Sequence, residues 1–378
     1  PPATGGRVIR RCLALLLAMF PSVLWAECSW PAWQRFAEQY IENGRVIDGS
    51  DPRQITTSEG QSYAMFFALL ANDRERFANL HAWTERHLAK GDLSTHLPAW
   101  LWGRSQESGG AVLDANSAAD SDTWIAYSLA EAGRLWEDHH YRSQGYFLAR
   151  HIAEQETRVI DTVGRVLMPA PEGFASDNTL RLNPSYWMPQ IFSRFAELQP
   201  NSVWPELAAA LPDLLRETAA NGLSPDWVAW RQGAWRQDPK SGQRGSYDAI
   251  RVYLWVGMLH PEAKAAAALR DHFDVMLALT QERENVPEVV NIGSATARGN
   301  GPWGFSAALL PMLSNSGKTT LLEAQQQRVR NGRTNSDSLG QRDYYNRVLD
   351  LFADAWMTGR LRFSDSGAVQ PNWQAGCS

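Results

Sequence analysis

What most restricts the folds open to this chain is that its helices come in two kinds, and the kinds alternate. "YAMFFALL" (63–70), "WIAYSLAEAGRLW" (124–136) and "AIRVYLWVGML" (249–259) are apolar nearly all round, the mark of a helix buried on most of its sides. "DRERFANLHAWTERHLAK" (73–90) and "EAKAAAALRDHFDVMLAL" (262–279) carry a charged face instead and should lie outside. Helical periodicity recurs in about a dozen segments, among them Pro31–Asn43, Asp122–Glu137, Pro184–Leu198, Tyr247–Leu259 and Arg342–Thr358. Alternation on this scale predicts an inner ring of helices wrapped by an outer ring, with no domain linker between them. Two short β excursions are expected, over Val159–Met168 and over Leu361–Gln370 with its turn at Ser366-Gly367. The polar tract from Gly332 to Gly340 reads as a loop.

The N-terminal stretch has the form of an export signal. Arg7, Arg10 and Arg11 precede an apolar run from Leu13 to Leu24, and Ala26 is a plausible cleavage point. The run is short for a spanning helix, and no later segment is apolar enough for one. Residues 1–26 are therefore expected to be a signal peptide and residues 27–378 a single domain, periplasmic or secreted, with no membrane span once the signal is removed. Cys12 would leave with the signal, and Cys28 and Cys377 would remain as a pair for an oxidising compartment, where an even pair reads as a disulfide.

The net charge of -5 excludes the basic surface that a nucleic-acid partner needs. Seventeen Trp are more than a core of this size calls for, and suit a groove that stacks on flat apolar faces such as those of sugars. "NSGKTT" (315–320) resembles the end of a phosphate loop, but Met312 stands where the pattern needs glycine. The His residues show no metal spacing and no Ser sits in a nucleophile elbow, so no metal and no cofactor is expected.

Carboxylates remain as the source of chemistry. In "TTSEGQSYAMF" Glu59 opens an apolar helix, where it has two readings. Thr56-x-x-Glu59 and Ser58-x-x-Gln61 both fit a capping box, and the first would make Glu59 a cap; the second leaves Glu59 free. Gly60 in the first turn costs helix stability unless something must approach the backbone there. Asp120 and Asp122 open a second apolar helix, and Asp248 opens a third. Any one of these acids alone would be a charge favoured by the helix dipole. Several, each opening a buried helix, suggest inner helices that present acids at one end of a barrel.

Taken in order, "CSWPAWQRF", "TTSEGQSYAMF", "LPAWLWG", "AADSDTWIAYSLAEAGRLW", "NPSYW", "SPDWV", "SYDAIRVYLWVGM" and "GFSAALLP" resemble glycoside hydrolase family 8, and within it the endoglucanases that accompany bacterial cellulose synthases. The resemblance implies an all-α (α/α)6 barrel of six inner and six outer helices, and hydrolysis of a β-1,4-glucan (cellulose) with inversion. It implies Glu59 as proton donor, Asp248 as the base that activates water, and Asp120 as the acid that contacts the sugar at the cleavage point. Tyr186 and Arg251 would position the substrate, and Trp102 would be a stacking platform. The family signature commonly reads Ala-Ser/Thr-Asp-Ala/Gly-Asp, whereas this chain has Ala118-Ala119-Asp120-Ser121-Asp122, a departure that bears on a local hydrogen bond and leaves the acids in place. A cellulose synthase or export complex is the implied partner. Two further readings stay open: the same fold acting on chitosan, mixed-linkage glucan or xylan, and a non-catalytic glucan-binding component of the export machinery.

Overall fold

The structure is a computed structural model that describes residue 2 and residues 28–104, 109–176, 178–336 and 340–376. The expected signal segment, apart from residue 2, lies outside the described residues. Cys28 is disulfide-bonded, while Cys377, its expected partner, lies outside them.

Twelve α-helices are present among the described residues: α1 (Pro31–Tyr40), α2 (Ser58–Leu70), α3 (Arg74–Leu88), α4 (Ala119–Leu135), α5 (His139–Gln155), α6 (Pro189–Leu198), α7 (Trp204–Thr218), α8 (Ile250–Gly257), α9 (Ala266–Arg283), α10 (Trp303–Ser314), α11 (Thr319–Ser336) and α12 (Tyr344–Met357). The even-numbered helices form the inner ring. Each packs on the next, α2 on α4 and so on to α12, and Phe352 of α12 closes the circle against Tyr63, Phe66 and Phe67 of α2. The odd-numbered helices lie outside, each against an inner partner. This is the expected (α/α)6 barrel. The all-round apolar segments are the inner helices because they have neighbours on every side; in α2 every residue except Glu59 is buried.

Aromatic rings fill the axis. Trp124 meets Trp255 at 5.4 Å and Phe66 at 4.7 Å between centroids, and Trp255 meets Phe352 at 5.2 Å. Six indoles, those of Trp30, Trp33, Trp124, Trp187, Trp204 and Trp255, are among the largest fully buried side chains. Much of the tryptophan excess is therefore core rather than groove.

One end of the barrel is stoppered by the C-terminal hairpin, Leu361–Phe363 paired with Val369–Pro371, which turns where the sequence places it. Tyr127 Oη donates to Gly367 O at 2.7 Å, and Val369 N donates to Glu131 Oε2 at 3.0 Å. Gly367 (φ +85°) lies so close to Gln190 that a Cβ would overlap its carbonyl oxygen, so the turn takes no other residue without moving. The other expected hairpin, Thr157–Ile160 with Gly164–Leu167, is also present.

Several boundaries differ from the expectation, each for a physical reason. The first helix stops at Tyr40 because Asn43-Gly44, both at positive φ, turns a small hairpin of 41–42 with 45–46. Pro184–Ser185–Tyr186 is a separate 3-10 turn, and α6 begins at Pro189 because a residue before proline is pushed to extended backbone, as Met188 is (φ -98°, ψ 105°). The tract expected to be a loop from Gly332 is helical as far as Ser336. Arg333 ties it down with bonds to Asp350 at 2.7 Å and Asp354 at 2.9 Å; residues 337–339 lie outside the described ones. Three further small sheets went unread in the sequence, and they gather at the acid-bearing end of the barrel: 56–57 with 101–103 and 111–114, 175–176 with 179–182, 228–231 and 234–237, and 244–245 with 289–291 and 296–298. No described helix is long and apolar enough to cross a membrane.

Candidate active site

The N-termini of α2, α4 and α8 bring Glu59, Asp120 and Asp248 to one guanidinium, that of Arg251. Glu59 arrives as the second residue of α2, and it does not cap that helix. Thr57 is the cap, its Oγ1 accepting from Gly60 N at 3.0 Å. Neither expected capping box forms: Gln61 turns aside, accepting from Val46 N at 2.6 Å and donating to Thr84 Oγ1 at 2.9 Å. The Glu59 carboxylate is thus free to pair with Arg251 Nη1. Gly60 has its explanation in the Tyr344 hydroxyl, which would lie 2.8 Å from a Cβ at that position.

Asp120 opens α4 from a buried position. Its Oδ1 accepts from Ser121 N at 2.8 Å and faces Ser121 Oγ at 3.3 Å, while Oδ2 faces Arg251 Nη1 at 3.3 Å. The hydroxyl that this chain carries at 121 instead of 119 therefore reaches the acid itself. Asp248 has a donor on each oxygen, Arg251 Nη2 at 2.8 Å and Trp227 Nε1 at 3.0 Å. Arg251 also reaches Tyr63 Oη at 3.2 Å and Ser185 Oγ at 3.1 Å, and lies 5.8 Å from the centre of the Tyr186 ring.

The outer two carboxylates are open to approach, with Glu59 28% and Asp248 31% exposed at the side chain, against 3% for Asp120 and 4% for Arg251. Burial pushes the Asp120 carboxyl up to about 7, with Arg251 pulling it down and the Glu59 charge adding to the rise. Trp102 stands apart from this cluster. It pairs with Thr56 in the strand leading into α2, Arg45 lies over its ring at 4.2 Å, and Gly110 leaves no room for a Cβ beside it.

Two residues that hold Asp248 in place escaped the sequence reading, both in "SPDWV". Trp227 holds Asp248 directly, and its ring stacks on Phe174 at 5.5 Å. Asp226 is buried and accepts from the backbone N–H of Ser246 (2.7 Å), Asp248 (3.1 Å) and Ala249 (3.0 Å). It caps the entry to α8 from a distant loop, which is why that helix starts at Ile250 and not at Tyr247. The available signal was a lone acid beside an aromatic residue in an otherwise apolar stretch.

Comparison with known proteins places the chain among carbohydrate-cleaving enzymes. The model of Glycosyl hydrolases family 8 matches residues 6–359. A protein named Endoglucanase from Salmonella typhi is 47% identical over 358 residues, 93% of this chain and 93% of that one. Endoglucanase of Escherichia coli O157:H7 is 44% identical over 376 residues, covering 98% and 99%. Among solved structures, endo-1,4-D-glucanase from Vibrio fischeri ES114 superposes with a TM-score of 0.87 at 44% identity, over 92% of this chain and 100% of that one.

Proposed function

This chain belongs to glycosyl hydrolase family 8, and on that premise we propose that it is an endo-1,4-β-glucanase that hydrolyses cellulose with inversion at the anomeric carbon. The observation that carries the reading is the convergence of two accessible carboxylates and one buried carboxyl on a single arginine, at the end of the barrel that the small sheets surround. Glu59 in its protonated form gives its proton to the glycosidic oxygen as the bond breaks, returning to the carboxylate that pairs with Arg251, and Asp248 takes a proton from the water that attacks the opposite face. Asp120 meets the sugar between them. Arg251 holds Glu59 through Nη1 and Asp248 through Nη2, and an inverting pair needs about 6.5–9.5 Å between its carboxyls to admit the water. Tyr186, beside Arg251, is proposed to position the sugar, and Trp102 to stack on a more distant one.

The chain is proposed to act outside the cytoplasm, with residues 1–26 removed and Cys28 bonded to Cys377, trimming glucan as a synthase and export complex delivers it. A reducing-sugar assay run side by side on carboxymethylcellulose, chitosan, xylan and mixed-linkage glucan tests the substrate. Carboxymethylcellulose should be cleaved fastest; faster release from chitosan or xylan would move the chain to another substrate, and no release from any of the four would leave a binding protein.

A further inference from the structure

One buried pair of acids has no part in the reaction described above. Asp122, two residues along α4 from Asp120, is fully buried, and so is Glu156, which ends α5. No nitrogen among the described residues donates to either oxygen of Asp122 or to Oε2 of Glu156, and the hydroxyl beside the pair is that of Ser117. The two carboxyls instead lie in hydrogen-bonding contact with each other, and Glu156 Oε1 accepts from Ser117 Oγ at 2.5 Å. A hydrogen bond between two carboxyls exists only if one of them keeps its proton. Their surroundings enforce this. Burial raises both, no cation faces them, and the nearest further charge is another acid, Asp120, with Arg251 and Glu59 beyond it. The C-terminal dipole of α5 also disfavours an anion at Glu156.

The bond joins an element that needs holding. Ala118, at the cap position of α4, offers no side-chain bond to the first turn, and that turn carries Asp120. Its other anchor is Ala119 N donating to Pro169 O at 2.9 Å, next to Met168 N donating to Glu156 O at 2.7 Å. The start of α4, the end of α5 and residues 168–169 are thus tied at one place.

We propose that Asp122 and Glu156 share a proton, and that this bond positions Asp120 by fixing the first turn of α4 to the end of α5. The proposal rests on the reading of Asp120 as the carboxyl that meets the sugar. In infrared difference spectra of the whole protein near neutral pH, wild type against Asp122→Asn, a protonated-carboxyl carbonyl band should be present in the wild type and lost in the variant. Asp122→Ala should lower kcat on soluble glucan by on the order of 10–100-fold with KM nearly unchanged, the scale of a small misplacement of a reacting group. Asp122→Asn, whose amide supplies a permanent donor, should restore kcat to within a few fold. Glu156→Ala should reproduce the loss from the other end of the bond, and it serves where Asp122→Ala does not fold. Absence of the band, or a folded alanine variant with wild-type kcat, overturns the proposal. Failure of the underlying reading would show separately, as turnover retained in Asp120→Asn.

Discussion

Glu59→Gln should abolish turnover, lowering kcat by about 10²–10⁴-fold, the contribution of a positioned general acid, while glucan binding stays nearly intact. The amide keeps the shape, and its oxygen can still accept from Arg251 Nη1, but it has no proton to give. Asp248→Asn should lose turnover to a similar degree for the opposite reason, since an amide cannot take a proton from water. The two substitutions differ in their structural cost. Both oxygens of Asp248 accept hydrogen bonds, from Arg251 and from Trp227; asparagine can accept only one and sets its own N–H groups against the other donor. Asp248→Asn should therefore be the less stable of the two. Steady-state kinetics on a soluble glucan, with calorimetric binding of an oligosaccharide and thermal melting, would check this. Either variant keeping more than a small fraction of wild-type kcat would remove that residue from the reaction.

Arg251→Leu should produce the largest combined effect. It deletes the cation that Glu59, Asp120 and Asp248 share and leaves Asp120 buried without its counter-charge. Removing one partner of a buried pair costs about 3–5 kcal/mol, and the orientation of both outer carboxylates is lost with it. The pH dependence has a definite sign. Asp120 is already raised by burial to about 7, and Arg251 is what restrains it; without Arg251 it rises further. A carboxyl whose folded pKa exceeds its unfolded value binds more protons in the native state, so stability falls as pH rises from the unfolded pKa towards the folded one. The penalty of Arg251→Leu should accordingly be smallest near pH 5 and grow on the way to pH 8. Denaturant unfolding of wild type and variant at both values measures it, and a pH-independent loss would mean that Asp120 is not the group left stranded.

The ring of helices was legible because burial on all sides writes itself into composition: α2, α4 and α8 have no polar face to spare. The acids were legible for a related reason, since Glu59, Asp120 and Asp248 stand out at the mouths of such helices. That they converge on Arg251 was not readable from spacing, because the four residues come from three distant helices. Asp226 and Trp227 were missed since they act across about twenty residues of chain, one on backbone N–H groups and the other on a carboxylate, and neither kind of contact leaves a local pattern. The tail of α11 was misread because ion pairs from Arg333 to α12 override a polar, Gly-containing sequence. Asn43-Gly44 is the reverse case, a local turn signal that was present and was taken for the end of a helix.

Proton NMR of the first product released from a β-1,4-linked oligosaccharide bears most directly on the assignment of Glu59 and Asp248 as an inverting acid and base. The α-anomer should appear first and then mutarotate, and the signal should vanish with Glu59→Gln. A β-anomer appearing first would mean retention through a covalent intermediate, and would contradict a site in which Asp248 activates water across the gap from Glu59.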